Sequence, residues 1–241
     1  MQPMRSRICG APVRLRRPTG SLPSETVSRV DIDPTELGVP AFYKLLTEVV
    51  LPRPIAWVSS RSPDGVDNLA PHSFFTVAAI DPPVVQFTSV GRKDSLNNVQ
   101  ATGEFVVNLA PEWMFEQINA TGTDFPASES EFDAVGIERE PSRHISVPRV
   151  AGSPVALECV LHSTSSIGFC TVVLGRVINA AIATEFMNEG HALAERLRPL
   201  ARLGRDQWSE LGKIREISRI AHRDWPGHYV PVNESLSDRS S

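Results

Sequence analysis

The sequence predicts a mainly β protein, a closed antiparallel barrel with a few peripheral helices. Six strand-like runs, rich in β-branched and aromatic residues, outnumber four helical segments. Short turns separate most of the runs, which favours hairpins over βαβ crossovers. The chain also contains no GxGxxG sequence, so a Rossmann nucleotide site is not indicated.

The six predicted strands follow one another with clear breaks between them. Pro52 and Pro54 impose an extended approach to the first strand, since a residue before proline avoids the helical region. Residues 62–65 form a turn in which Pro63 takes the position suited to its fixed φ. The strands are predicted at residues 55–59, 73–80, 84–88, 105–109, 155–161 and 171–182.

The helical segments have weaker signals, apart from one. A helix is predicted to begin at Asp94 or Ser95, either of which is a good N-cap, and to stop at Gly103. The other helical segments are predicted at residues 42–46, 112–120 and 193–200.

Composition divides the chain into an extension, a domain and a tail. Residues 1–24 contain five arginines and no acidic residue, and prolines interrupt the amphipathic helix that a transit peptide would form. We therefore expect residues 1–32 to be a disordered Arg/Pro-rich extension, with a globular domain over 33–220 and a polar tail over 221–241.

Bulk properties exclude several classes of protein. The net charge of −4 argues against a nucleic-acid partner, and no apolar run approaches the roughly 18 residues that a membrane span needs. Three cysteines without a CxxC favour a reducing cytoplasm and exclude a zinc framework. We expect a cytoplasmic protein with no metal site and no partner among membranes or nucleic acids.

One segment favours phosphate binding. Arg92, Lys93 and the hydroxyl of Ser95 stand at the start of the predicted helix at residue 94. A helix N-terminus carries unpaired N–H groups and a partial positive charge, which suits a phosphate. Asp94 opposes this by charge repulsion, and the segment alone is explained better by a basic turn before a surface helix.

A second segment favours a flat ring. Small side chains and backbone N–H groups form a slot, in which the Ser73 hydroxyl is a candidate donor. The candidate lining is residues 70–75, Ser59, Ser60, Phe87 and Thr88. Each residue separately fits a turn or a core position better than a flavin site. Their order along one sheet, ending at the basic helix start, favours a bound flavin nucleotide.

Linked motifs resemble the flavin reductase-like, FMN-binding split-barrel family, most closely its flavoredoxin-type branch. They are Arg53-Pro-Ile-Ala-Trp-Val-Ser59, Asn68-Leu-Ala-Pro-His-Ser-Phe-Phe75, Asp81-Pro-Pro83, Arg92-Lys-Asp-Ser95 and Glu104-Phe-Val-Val-Asn108. The resemblance implies a six-stranded antiparallel Greek-key split barrel, and a homodimer with FMN near the subunit interface.

The resemblance also implies which residues hold FMN, and no catalytic side chain. FMN would take a hydride at N5 from NADH or NADPH and pass electrons to a small molecule or partner protein. The ring and ribityl chain would contact Ser59, Ser60, Ala70, Pro71, His72 and Ser73. The phosphate would meet Arg92, Lys93 and Ser95, with Arg53 as a further cation.

Two departures from the family pattern leave a second hypothesis open. Cys170 stands where many flavin reductases have a histidine, and Trp208 stands where tyrosine is common. A protein without a nicotinamide site would be an FMN-binding electron carrier. The position of His72 fits equally well a hydrogen-bond donor to a flavin oxygen or to the phosphate and a packed core residue.

Overall fold

The computed structural model describes residues 28–225, which fall into two units. Asp33–Ile214 forms one unit, and Met1–Ile32 with Arg215–Ser241 forms the other. Of the second unit only residues 28–32 and 215–225 are described, with a 3-10 turn at His222–Asp224. The expectations for residues 1–32 and 221–241 therefore lie mostly outside the described residues.

Seven antiparallel strands form the main sheet of the Asp33–Ile214 unit. They are β1 (Ala56–Arg61), β2 (Asp67–His72), β3 (Phe75–Ala79), β4 (Val84–Val90), β5 (Glu104–Leu109), β6 (Val155–Ile167) and β7 (Cys170–Ile182). Their order across the sheet is β2-β1-β5-β6-β7-β4-β3. Three hairpins, β1-β2, β3-β4 and β6-β7, join neighbours directly. The predicted strands include both strands of β3-β4 and β6-β7, but not β2.

The sheet confirms a mainly β fold with few helices but has one strand more than the sequence predicts. The additional strand is β2, whose polar residues and Pro71 are typical of a loop. At the edge of the sheet a proline is tolerated because its missing N–H faces no partner strand. The hydrogen-bonded order runs from β2 to β3 and does not close, so the closed barrel predicted from the pattern is not found among the described strands.

Apolar residues pack against both faces of β1. Ala56 and Val58 contribute to a cluster with Phe87 and Phe105 inside the curved sheet. Trp57 contributes to a second cluster outside the sheet, beneath the helices. Burial on both faces explains why this strand is a continuous apolar run without alternation.

Six short helices accompany the sheet. They are α1 (Pro34–Leu37), α2 (Val39–Val49), α3 (Asp94–Thr102), α4 (Phe115–Ala120), α5 (Glu131–Val135) and α6 (Ala194–Leu197). None of the helices in the described residues is long and apolar enough to cross a membrane. The same residues contain no group of three or more His, Cys, Asp or Glu placed to hold a metal.

The start of α3 differs from the prediction by one residue. Its N-cap is Lys93, which makes no side-chain capping bond, and it ends at Gly103 in the left-handed conformation. Asp94 lies in the first turn, and Ser95 is buried, with its hydroxyl turned towards His72. The prediction of Asp94 or Ser95 as the cap was therefore wrong, whereas the predicted stop is confirmed.

Short elements complete the unit. Its 3-10 turns are Glu112–Met114, which precedes α4, and Thr184–Phe186. The two-residue strands are Arg53–Pro54, Arg139–Glu140, Arg149–Val150, Met187–Asn188, His191–Ala192, Ala201–Arg202 and Trp208–Ser209.

Candidate functional site

A cavity of about 370 Å³ lies where the end of β2 meets the start of α3. Eight of the twelve predicted site residues line it, from the β2 end, β4 and the α3 start. They are Ala70, Pro71, His72, Ser73, Thr88, Arg92, Lys93 and Ser95. The structure thus brings the predicted ring segment and the predicted phosphate segment to one cavity.

Three other predicted residues lie in the protein interior and are not among the residues that line this cavity. The Ser59 hydroxyl donates to the carbonyl of Pro148 at 2.6 Å. The Ser60 hydroxyl accepts from the side-chain amide of Asn98 at 3.2 Å. Phe87 is fully buried in the core. Because all three are occupied by intramolecular contacts, we leave them out of the proposed site.

Arg53, the further cation implied by the resemblance, is also outside this cavity. Its guanidinium donates to the backbone carbonyls of Thr47, Val50 and Leu203. It lines a separate cavity. It is therefore not placed to contact a phosphate at the start of α3.

His72 connects the two halves of the cavity. Its Nε2 lies 3.2 Å from the Ser95 hydroxyl oxygen, and its ring centroid lies 4.7 Å from that of Phe87. Burial lowers the pKa of His72 to about 4, despite an opposing hydrogen bond to the backbone of Thr88. The imidazole is therefore neutral at pH 7 and adds no positive charge to the cavity.

Asn68 and Glu131 line the cavity but are absent from the predicted site. The Asn68 side-chain amide lies between the Glu131 carboxylate and the Ser95 hydroxyl. In the amide orientation that gives both of its atoms a partner, the nitrogen donates to Glu131 Oε1 at 3.3 Å and the oxygen accepts from Ser95 Oγ at 3.1 Å. Glu131 also accepts the Leu69 N–H at 2.9 Å, and burial raises the pKa of its carboxyl. This arrangement fixes the Ser95 hydroxyl from a second direction.

The loop after α4 forms another wall that the sequence does not reveal. Trp57 Nε1 donates to Thr121 Oγ1 at 2.9 Å, which anchors the loop to the core. Gly122 packs close to β2, since a Cβ there would lie 3.6 Å from Pro71 Cγ. The lining residues outside the predicted set are Tyr43, Asn68, Phe74, Val90, Asp94, Thr121, Gly122, Thr123, Asp124, Phe125 and Glu131.

The charges in the cavity favour an anion locally, at the start of α3. Arg92 and Lys93 are opposed by three carboxylates that also line the cavity, so its overall field is not positive. Since no side chain caps α3, the N–H groups of its first turn are available to a ligand. A phosphate fits at this point, and a flat group fits against the small residues Ala70 and Pro71.

The chain is similar to known proteins over most of its length. Residues 49–199 match the family described as flavin reductase like domain. Nitrilotriacetate monooxygenase component B from Bacillus cereus is 33% identical, with 80% of this chain and 100% of that chain covered at a TM-score of 0.76. The 2-nitrobenzoate 2-nitroreductase of Pseudomonas fluorescens is 30% identical, with 80% and 98% covered at a TM-score of 0.75.

A more distant likeness concerns the fold alone. Flavoredoxin of Desulfovibrio vulgaris (Miyazaki F) is 15% identical, with 70% of this chain and 92% of that chain covered at a TM-score of 0.66. The mainly β architecture is consistent with a flavin reductase split barrel. The family match covers more than half of the chain, and we conclude that the chain belongs to the flavin reductase-like family.

Proposed function

We propose that the chain is an FMN-dependent oxidoreductase that uses NADH or NADPH as electron donor. The observation that carries this proposal is the single cavity formed by the small-residue end of β2 and the uncapped start of α3. Its volume lies within the range typical of small-molecule sites. When bound, FMN would supply the chemistry by accepting a hydride at N5 and passing electrons onward.

The start of α3 would hold the FMN phosphate. Arg92, Lys93 and Ser95 line this part of the cavity, and no side chain caps the first-turn N–H groups. Charge-assisted hydrogen bonds to a phosphate are the strongest polar contacts available to these groups. The contact of Ser95 with His72 would keep the hydroxyl in place for this role.

The end of β2 would hold the flavin ring and ribityl chain. Ala70 and Pro71 offer small side chains, and Ser73, at the bend between β2 and β3, also lines the cavity. The protein's share of the reaction is orientation of two ligands, with no side chain acting as acid or base. Oriented backbone N–H groups near the ring would favour its reduced, more negative form.

For the final electron acceptor we propose only a chemical class. One 30% identical structure is named a nitroreductase of 2-nitrobenzoate, and a 33% identical one is named a component of a monooxygenase. Both names are compatible with electrons leaving a flavin for a small molecule or for a partner protein. We propose an acceptor of one of these two kinds.

We also propose a homodimer in the cytoplasm. Val39, Tyr43 and Leu46 form an exposed apolar stripe on α2 at helical spacing, and Val77 and Ile80 are exposed at and just after β3. Exposed apolar faces of this kind are typical of protein interfaces. Sedimentation equilibrium should give twice the chain mass, and a monomer would contradict this part of the proposal.

An electron carrier without a nicotinamide site is the second candidate. Cys170, which stands in the place of the family's histidine, opens β7 opposite Val90 and is not among the residues that line the cavity. This observation favours a carrier, because no side chain from that position meets the donor. The carrier hypothesis predicts reduction by dithionite or a partner reductase and none by NADH or NADPH.

Flavin binding tests the site. Fluorescence titration of purified protein should show that FMN binds more tightly than riboflavin, which lacks the phosphate. Ser73→Trp should abolish FMN binding by filling the corner of the cavity. The control Ser165→Trp, at an exposed position of β6, should bind FMN normally. Full FMN binding and turnover in Ser73→Trp would remove Ser73 from the site.

A further inference from the structure

Three neighbouring cavities share one residue, Ser73. It lines the candidate flavin cavity, a second cavity of about 230 Å³ and a third of about 710 Å³. Pro71 also lines the first and second, and Arg202 lines the second and third. The shared residues connect the flavin cavity to the large third cavity along one face of the Asp33–Ile214 unit.

The third cavity is basic, in contrast to the flavin cavity. Four cationic side chains line it, accompanied by the carboxylates of Glu48 and Asp206. The cations are Lys44, Arg53, Arg202 and Arg205. A concentration of positive charge in a chain with a net charge of −4 indicates a local anion site.

Arg53 is the buried cation among the residues that line the third cavity. Only 8% of the residue is exposed, and its Nε has no hydrogen-bond partner within the structure. Burying a polar N–H without a partner is costly, so native structures usually supply one. Burial and the nearby charge of Arg202 lower the pKa of Arg53, and an anion would relieve the repulsion between these two groups.

Arg202 is held in an orientation suited to binding. Its guanidinium lies 4.8 Å from the ring centroid of Trp208 and donates one hydrogen bond to the carbonyl of Arg205 at 2.8 Å. A planar guanidinium fixed in this way loses little entropy when it binds an oxyanion. Lys44, by contrast, is exposed at the mouth of the cavity. Together they offer one cation held against Trp208 and one exposed cation.

We infer that this basic cavity binds the phosphates of the nicotinamide dinucleotide while its nicotinamide reaches the flavin cavity past Ser73. The inference rests on the proposed function. A dinucleotide carries its phosphates at a distance from its ring, and the third cavity offers both the room and the charge. A carboxylate on the electron acceptor is also an anion that the cationic side chains could bind. The experiment therefore distinguishes the phosphates of the dinucleotide from a carboxylate of the acceptor.

Binding of a non-reacting probe tests the cavity directly. ADP-ribose, which has the diphosphate but no nicotinamide, is titrated by calorimetry into the FMN-loaded protein. Lys44→Gln/Arg202→Gln should weaken its binding by about tenfold or more, which corresponds to about 1.4 kcal/mol or more, because two cations that would contact the diphosphate are lost. The control Arg176→Gln/Lys213→Gln removes the same charge from exposed positions outside the cavity and should bind as the wild type does. Lys44→Gln alone, at an exposed position, gives a smaller loss and tests the inference should the double variant fold poorly.

Turnover with two donors then separates the inference from the proposed function. In the double variant kcat/KM should fall about tenfold for the dinucleotide and stay unchanged for benzyl-dihydronicotinamide, which has no phosphate. Equal ADP-ribose affinity in all variants would overturn the inference. A loss seen only with 2-nitrobenzoate, and not with uncharged nitrobenzene or with ADP-ribose, would assign the cavity to the acceptor and also overturn it. Failure of the wild-type flavin to be reduced by either donor would instead contradict the proposed function, whatever ADP-ribose shows.

Discussion

The Nε2 atom of His72 lies 3.2 Å from the hydroxyl oxygen of Ser95. The two residues are 23 positions apart, one at the end of β2 and the other in the first turn of α3. Their contact joins the surface proposed for the flavin ring to the helix start proposed for the phosphate. The distance between these two subsites is therefore set by a buried hydrogen bond instead of by a surface loop.

His72 should make the unfolding free energy depend on pH. Burial lowers its pKa from 6.5 to about 4, so between these values the unfolded chain binds a proton that the folded chain does not. Stability should therefore fall as pH drops through this window, by up to about 1.4 kcal/mol per pH unit from this one group. Urea unfolding of the FMN-free protein should show a weaker pH dependence in His72→Gln. An unchanged slope in that variant would contradict the neutral state of the buried imidazole.

The cations at the α3 start should act on the phosphate and not on the ring. Arg92→Gln/Lys93→Gln should weaken FMN binding roughly 2- to 30-fold, because each exposed charge contributes up to about 1 kcal/mol and each factor of ten corresponds to about 1.4 kcal/mol. The affinity for riboflavin should be unchanged. Added salt should reduce the difference in FMN affinity between the wild type and the variant. Titration of both flavins at two ionic strengths is the measurement. An equal loss for riboflavin would show that these residues act through the fold.

Gly175 should be intolerant of a side chain. A Cβ built there would lie 2.1 Å from Cζ of Phe105, a fully buried core ring. Gly175→Ala should lower the unfolding free energy by about 1–3 kcal/mol through overpacking. The matched control is Gly212→Ala, where no atom lies within 4 Å of the added Cβ. Similar urea midpoints for the two variants would show that Phe105 moves aside without cost.

Glu158 should be among the most sensitive polar positions. Its fully buried carboxylate accepts from the backbone N–H groups of Arg143 and His144 and from the guanidinium of Arg149. Glu158→Gln leaves the buried Arg149 without its charged partner inside the protein and should cost about 3–5 kcal/mol. Glu140→Gln removes the half-exposed partner of the same arginine and should cost less than about 1 kcal/mol. Equal costs in urea unfolding would contradict this ranking.

The same carboxylate gives a second pH signature. Burial raises the pKa of Glu158, but the hydrogen bonds from Arg143, Arg149 and His144 outweigh it and the net shift is downward. Its contribution to stability is thus present above the ordinary pKa of a glutamate and lost as pH falls through the lower folded value. Acid unfolding of Glu158→Gln should lack this component, and a full wild-type acid transition would contradict it.

The sequence predicted those features that depend on local patterns. The strands around Trp57 and Phe105, and the stop of α3 at Gly103, follow from apolar runs and turn residues. Eight of the twelve predicted site residues line one cavity, and their contact with FMN stays a prediction. Strand β2 was missed because a polar edge strand with an internal proline has no local signal.

The remaining cavity walls depend on contacts between distant residues. Glu131 reaches Leu69 across 62 positions, and Thr121 reaches Trp57 across 64. Ser59 was predicted to line the site but does not line the cavity. Its place in the motif does not reveal that its hydroxyl donates to the carbonyl of Pro148 in the core. Where both faces of a strand are buried, alternation cannot show which side chains meet a ligand.

An anaerobic absorbance titration tests the central claim most directly. Purified protein is first loaded with FMN, and NADH or NADPH is then added in the absence of oxygen. The account predicts that the flavin absorbance band bleaches with at least one of the two nucleotides. An FMN complex that bleaches with dithionite but with neither nucleotide would contradict it and establish an electron carrier in its place.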